Sequence, residues 1–325
     1  MAPGLDKKLE NTDKVFTTSY AKPEKIRSYI KTLQLENISK EKNDLALKGY
    51  YFEDSSDIVY HSLDLFYTKQ KITQNIDIGI DGEIFAIKNN QEEYNGFRYA
   101  LSLFWDHFHL RLGENRYDDF NEFVPYISYS NHYKRHSYIL EYTHQNALFY
   151  TYSLCSYKKR IETDHFSVSD YIMFENKTDL WMNLQANIFS NSTTNYIAQY
   201  DWRFFHNTLG STNTFQYHLA LEGWYTTNTK QNGCFYSPKF ADTTMLRIDP
   251  VYHFSKYLNI NGKVGGGYSF EDNNFIYKTG LWFFGNPKEN LSYNIGCLYS
   301  NTSKISSSKT NYSYQECVID MGYKW

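Results

Sequence analysis

The sequence predicts an all-β fold: an antiparallel transmembrane β-barrel of about 16 strands with a short helical segment before it. Three observations carry this. Apolar and polar residues alternate with a period of two through most of the chain, which is the side-chain period of a strand. Aromatic residues make up 19% of the 325 residues while mean hydropathy is negative, as expected when one face of each strand meets lipid and the other meets water. The chain also ends on a strand whose apolar face runs to the last residue.

That final stretch is Asn311 to Trp325. One face reads Cys317, Ile319, Met321, Tyr323, Trp325; the other reads Glu316, Val318, Asp320, Gly322, Lys324. Chain ends of soluble proteins usually fray and carry polar residues. In a closed barrel the last strand pairs with the first, and an interfacial aromatic anchors the closure. Tyr323 and Trp325 are the residues assigned to barrel closure.

Composition excludes other classes. No apolar run of about 18 residues exists, so no transmembrane helix is available. The net charge of −3 and the lack of a basic block argue against nucleic acid as a partner. The start, Met-Ala-Pro-Gly-Leu-Asp-Lys-Lys, has no apolar signal-peptide region, so the chain reads as a mature form or a fragment. Cys155, Cys234, Cys297 and Cys317 are far apart and form no CxxC, a pattern that points neither to zinc nor to a disulfide framework.

Residues 1–45 read as a polar, periplasmic tail with one helix, and residues 46–325 as the barrel. Pro23 suits a first helical turn, and Ile26, Tyr29, Ile30 and Leu33 recur at helical spacing up to about Leu35. From Leu45 the period is that of strands, 16 of them running from 46–53 to 310–325. In 74–88, Ile76, Ile78, Ile80, Ile84 and Ala86 oppose Asp77, Asp81, Glu83 and Phe85. In 177–189, Leu180, Met182, Leu184, Ala186 and Ile188 oppose Trp181, Asn183, Gln185 and Asn187. In 194–207, Tyr196, Ala198, Tyr200, Trp202 and Phe204 oppose Gln199, Asp201, Arg203 and Phe205. In 213–227, Leu219, Leu221 and Tyr225 oppose His218, Glu222 and Trp224. In 256–271, Ile260, Val264 and Tyr268 oppose Asn259, Asn261 and Lys263. The segment 96–112 is apolar on both faces and reads as one long strand with a bulge; 147–157 also reads as a strand. With both ends periplasmic, Asn228–Asp242 and Thr302–Lys309 face outward, and tight turns at His144–Asn146, Asn176–Lys177 and Ser255–Lys256 face inward. A strand number this high leaves room for an open lumen. A propeller would show a blade-length repeat, which is absent, and a sandwich would carry polar outer faces.

No catalytic motif appears: there is no GxSxG, P-loop or HExxH, and no cofactor is expected. His107 and His109 lie two apart, a metal-pair spacing, but without further ligands they read as polar residues of an interface or lumen. His132, His136, Ser137 and Glu141 can be arranged into a rim hydrolase site, although strand spacing does not single them out. The polar faces are more informative as a set. Asp77, Asp81, Glu83, Glu141, Asp201, Glu222 and Asp249, with Arg203, Arg247, Trp181 and Trp224, read as a lumen that hydrogen-bonds sugar hydroxyls and offers aromatic faces to C–H surfaces. Repeated weak sites favour passage over capture. An ordinary solvated lumen accounts for the composition equally well.

The long connection contains Gly233-Cys234-Phe235-Tyr236-Ser237-Pro238-Lys239-Phe240, where Pro238 excludes a central strand position. Phe235, Tyr236, Ser237 and Pro238, followed by Met245-Leu246-Arg247-Ile248-Asp249-Pro250 and a Trp-terminated strand, resemble the C-terminal barrel of exopolysaccharide export porins. These are the outer-membrane secretion proteins of cellulose, Pel and poly-N-acetylglucosamine systems. The resemblance covers 46–325 in architecture and 233–250 in motif. It implies a Gram-negative outer-membrane barrel, preceded in the family by tetratricopeptide repeats, that exports an exopolysaccharide passively and makes or breaks no bond. It also implies as partners outer-membrane lipid and lipopolysaccharide, the polymer, the barrel assembly machinery and periplasmic polysaccharide-synthesis components. Residues 235–238 carry over as a structural or gating loop. A general or sugar-specific diffusion porin and a barrel-borne hydrolase are the competing readings.

Overall fold

The computed structural model describes residues 44–324, apart from 56, 74–75, 152, 175–177, 210–213, 231–233, 235–238, 256, 272, 289 and 302–312. The helix expected at 23–35, most of the tail, the 235–238 loop, the Asn176–Lys177 turn, the Thr302–Lys309 connection and Trp325 lie outside the described residues.

Sixteen strands form one closed antiparallel barrel. They are β1 (Asp44–Asp54), β2 (Val59–Thr73), β3 (Ile76–Lys88), β4 (Glu93–Trp105), β5 (Phe108–Tyr117), β6 (Asn121–Tyr133), β7 (His136–Asn146) and β8 (Glu162–Met173). The second half comprises β9 (Asp179–Phe189), β10 (Thr194–Leu209), β11 (Phe215–Asn228), β12 (Phe240–Ser255), β13 (Leu258–Ser269), β14 (Asn274–Lys288), β15 (Leu291–Ser300) and β16 (Tyr314–Lys324). Each strand pairs with its chain neighbours, and β1 closes on β16 with Leu45 opposite Tyr323 and Tyr51 opposite Cys317. Closure leaves no unpaired edge, which a membrane requires because lipid cannot satisfy backbone groups.

Parity decides the two faces. Along β9, Leu184 is 60% exposed while Asn183 and Gln185 are buried; along β3, Ile80 and Ile84 are exposed and Asp81 and Glu83 buried. The outer wall is therefore apolar and the inner wall polar, the inverse of a soluble fold and the polarity of a lipid-facing barrel. Aromatics gather toward both strand ends: Trp105, Phe108, Tyr133, Phe254 and Tyr257 near one rim, Tyr225, Phe240, Phe270 and Phe275 near the other. Such girdles sit at the two membrane–water interfaces.

The rim where β1 begins and β16 ends is called proximal here, and the opposite one distal. The longest connections, 147–161, 229–239 and 301–313, all leave the distal rim. Longer loops mark the extracellular side of such barrels, so the proximal rim is periplasmic.

Four sequence expectations need correction. The segment 96–112 is two strands, not one bulged strand. Asp106 takes a left-handed φ of 53°, which Asp tolerates better than most residues, and this turns β4 into β5. Apolar residues on both faces there reflect the parity reset at the turn. The segment 147–157 is not a strand but two short helices, α1 (Leu148–Thr151) and α2 (Leu154–Lys158). These two errors offset each other in the strand count. His144–Asn146 is not an inward turn; it ends β7 at the distal rim. Lastly, the four cysteines do pair, as Cys155–Cys234 and Cys297–Cys317. Sequence separations of 79 and 20 carry no local spacing signal: Cys297 and Cys317 meet through the β15–β16 register, and Cys155 and Cys234 through two separate distal connections.

Candidate functional site: the barrel interior

All eleven residues read as lumen-lining from sequence stand on inward-facing parity. Asp81, Glu83, Glu141, Trp181, Asp201, Arg203, Glu222, Trp224, Arg247 and Asp249 are buried, and Asp77 shares its face with Asp81 on β3. Phe205 does not follow them. A register shift between Arg203 and Phe205 reverses the parity, and Phe205 is exposed.

The interior is layered. At mid-height on one side, Arg247 of β12 is fully buried and gathers three carboxylates. Its Nε and Nη2 donate to Asp249 at 2.5 and 2.7 Å, and Nη2 also reaches Asp201 of β10 at 3.1 Å. Nη1 donates to Glu222 of β11, which also accepts from Lys278 of β14. Near the proximal end of the same wall, Arg203 binds Asp179 through Nε at 3.0 Å and Nη2 at 2.6 Å. Opposite, Arg98 of β4 donates to Asn115 at 2.6 Å, to Glu83 at 3.3 Å and to Gln145 of β7 at 3.3 Å. Arg111 of β5 forks onto Asp81 at 3.0 and 2.6 Å. Glu141 accepts from Tyr126 at 2.7 Å and Ser167 at 2.8 Å. Buried charge is tolerated only when paired and hydrogen-bonded, and each named cation sits against its acids.

Across the described residues, thirteen Asp and Glu are buried against seven Lys and Arg, so the inner wall is acidic overall. Sequence reading singled out seven acids of the inner wall but missed Arg98, Arg111, Asp179 and Lys278. Counting parity from a correctly placed turn at Asp106 recovers Arg98 and Arg111. The rest needed strand register.

The inward side chains are buried, and α1 and α2 pack onto the distal end of the interior. All four α1 residues are buried. Leu148 and Phe149 join an aromatic tier built from Tyr50, Phe52, Tyr60, Phe85, Tyr117, Tyr157, Trp282 and Tyr314. Phe85 meets Phe149 edge-on at 5.2 Å, and Gly96 on β4 leaves the space that the Phe85 ring occupies. Outside the membrane span, Lys158 of α2 pairs with Glu92 in the β3–β4 turn at 2.5 Å. Hydrogen bonds from Lys158 and Tyr94 hold the Glu92 carboxyl below its ordinary range. Tyr157 donates to Asp119 at 2.8 Å, and burial followed by that bond pushes its phenol up.

The hydrolase and metal candidates do not come together. His132 Nδ1 lies 2.9 Å from Ser137 Oγ at the proximal rim, but His136 pairs with Asp170 on the outward face and Glu141 is buried in the interior. His107 is in the β4–β5 turn, whereas His109 faces inward, 3.1 Å from Ser102 Oγ. Among the described residues no cluster of three or more His, Cys, Asp or Glu is arranged for a metal.

No protein-family model and no curated protein matches the chain. Solved barrels do match in shape. A bacterial polysaccharide outer membrane secretin superposes with a TM-score of 0.71 at 8% identity, over 89% of this chain and all of that one. CdiB from Acinetobacter baumannii superposes with a TM-score of 0.50 at 10% identity, over 87% of this chain and 60% of that one. At these identities the likeness concerns the fold. Fold and wall polarity together place the protein in the outer membrane of a Gram-negative bacterium.

Proposed function

We propose that the barrel is an outer-membrane channel that exports a polysaccharide bearing positive charge, such as a partly deacetylated amino-sugar polymer, without making or breaking a bond. The observation that carries this reading is the inner wall, where thirteen Asp and Glu are buried against seven Lys and Arg among the described residues. A confined, low-dielectric passage with excess negative charge concentrates cations and repels anions. Trp181 and Trp224 add inward aromatic faces for C–H surfaces. Ser128 Oγ, Trp181 Nε1, Gln199 Nε2 and Asn261 Oδ1 are buried without a protein partner, which suits water or a hydroxyl-rich chain. The fold shared with the polysaccharide secretin supports the same direction, as do Phe235 to Pro238 by their resemblance to the export porins.

The test is reversal potential across a planar bilayer under a salt gradient, combined with secreted polymer in cells. Neutralising Asp81, Glu141 and Glu222 to Asn or Gln should lower cation preference and reduce export of a cationic polymer more than of a neutral one. Unchanged selectivity in an assembled variant refutes the acidic track. Passage of small sugars without polymer export identifies a diffusion porin instead.

A further inference from the structure

We propose that Cys297 and Cys317 are a periplasmic oxidation site: a disulfide donor joins them before the barrel enters lipid, and the bond then fixes the register of the closing strand β16. The proposal rests on the barrel's place in the outer membrane and not on its reading as a channel.

Cys297 of β15 stands directly opposite Cys317 of β16, with Cα atoms 4.1 Å apart and the sulfurs bonded. Both are on outward parity: Ile295, Cys297 and Tyr299 are exposed on β15 while Gly296 and Leu298 are buried, and Ile319 is exposed between the buried Glu316 and Asp320 on β16. The surroundings are those of the lipid-facing wall. Exposed Leu281 of β14 lies beside Cys297. The exposed pair Ile295 and Ile319 forms the next outward row toward the proximal rim. Toward the distal rim, Tyr299 meets Tyr277 at 5.8 Å, as interfacial aromatics do. On β1 the neighbour of Cys317 is Tyr51, whose hydroxyl turns distally to Glu53 at 2.5 Å, as an amphipathic side chain does at an interface. The cysteine pair therefore lies on the apolar side of the outer interface.

Disulfide exchange proceeds through a thiolate, and hydrocarbon does not hold an unpaired charge. Once this wall faces lipid, a water-borne reagent can neither make nor exchange the bond. Oxidation therefore comes earlier, in the periplasm, which is an oxidising compartment. The step balances simply. The two thiols give up two electrons and two protons as the S–S bond forms, and the donor's disulfide becomes a dithiol.

The consequence is register. Sliding β15 past β16 by two residues keeps every side chain on its own face, so wall polarity does not oppose that slip. It does move the two cysteines to a diagonal, roughly 7–8 Å between Cα atoms, which a disulfide does not span. The bond thus excludes the nearest slips that polarity tolerates. Because β16 also forms the seam with β1, a slip there would misplace closure.

The experiment folds the full chain into liposomes from urea, in a Cys155→Ser/Cys234→Ser background so that one bond is read, and follows thiols by the mass added by a maleimide. The natural chain, with thiols assigned by peptide mapping, repeats each measurement in case that background folds poorly. The oxidised chain should give several-fold more heat-modifiable barrel than the reduced chain, and Cys297→Ser/Cys317→Ser should match the reduced one. A water-soluble disulfide donor should join the cysteines before lipid is added and leave them as thiols after the reduced chain has inserted. A water-soluble dithiol should likewise fail to cleave the bond in the inserted, oxidised barrel. Bond formation or cleavage in the inserted barrel as fast as in the lipid-free chain overturns the order of events. Equal yields from oxidised and reduced chains overturn the register role.

Discussion

Arg98 stands 4.3 Å from the centre of the Phe149 ring, so one guanidinium joins the charged tier of the wall to the helical plug formed by α1 and α2 at its distal end. The same side chain is hydrogen-bonded to Asn115, Glu83 and Gln145, which fixes its plane beneath the ring. A desolvated cation–π contact of this kind is worth about 2 kcal/mol. The plug is thus seated on the acidic interior that the proposed passage uses.

Phe149→Ala should unseat the plug while leaving the barrel. Removing a large buried aromatic costs about 3–5 kcal/mol in a packed core, and here the loss falls on a four-residue helix rather than on a strand. Heat-modifiable migration on gels should persist while channel openings become more frequent. Loss of heat-modifiability would show that the ring supports the wall instead.

The face assignment predicts an asymmetry between neighbours on β9. Arg at a mid-membrane lipid position costs roughly 2–4 kcal/mol, so Leu184→Arg should depress folding into liposomes. Gln185→Glu, one residue along and inward, should assemble normally. A reversed order would mean that the strand register is shifted by one residue.

Arg247→Met should destabilise the barrel by about 3–5 kcal/mol, because it removes the cation that three buried acids share. Asp201, Glu222 and Asp249 all converge on this one side chain. Arg247→Lys should recover only part, since an ammonium cannot reproduce the fork. Urea titration of the barrel in detergent or lipid reads both.

Acid should loosen the plug. The Glu92 carboxyl is held below its ordinary value by Lys158 first and Tyr94 second, so its stabilising pair is fully present above that value and is lost as pH falls through the lowered one. Hydrogen exchange in α2 should therefore accelerate as pH falls below the ordinary glutamate range. Glu92→Gln should remove that acid step and show the faster exchange at neutral pH. An unchanged acid step in the variant would assign it to another group.

Closure depends on β16. Removing 322–325 deletes the pairs Leu45–Tyr323 and Ala46–Gly322 with β1 and should abolish heat-modifiable migration, because an open sheet edge is not tolerated in lipid. Normal insertion of the shortened chain would refute the closing role of this strand.

The sequence by itself determined the barrel, its wall polarity and the inward set from Asp77 to Asp249. Those depend on a period of two, which every strand repeats and which no tertiary contact can alter once register is set. Where the period was interrupted, at Asp106 and from Leu148 to Lys158, local reading merged two strands and saw a strand in two helices. Tertiary structure alone decided the rest. The plug is helical because its aromatics are buried against β3–β5, not because its residues repeat at helical spacing. The disulfides join cysteines separated by 79 and 20 residues. The charge clusters assemble from β9–β12 and β14 on one side and β3–β7 on the other. Pairing of that kind depends on which strands stand side by side in a closed sheet, and a linear pattern does not carry that information.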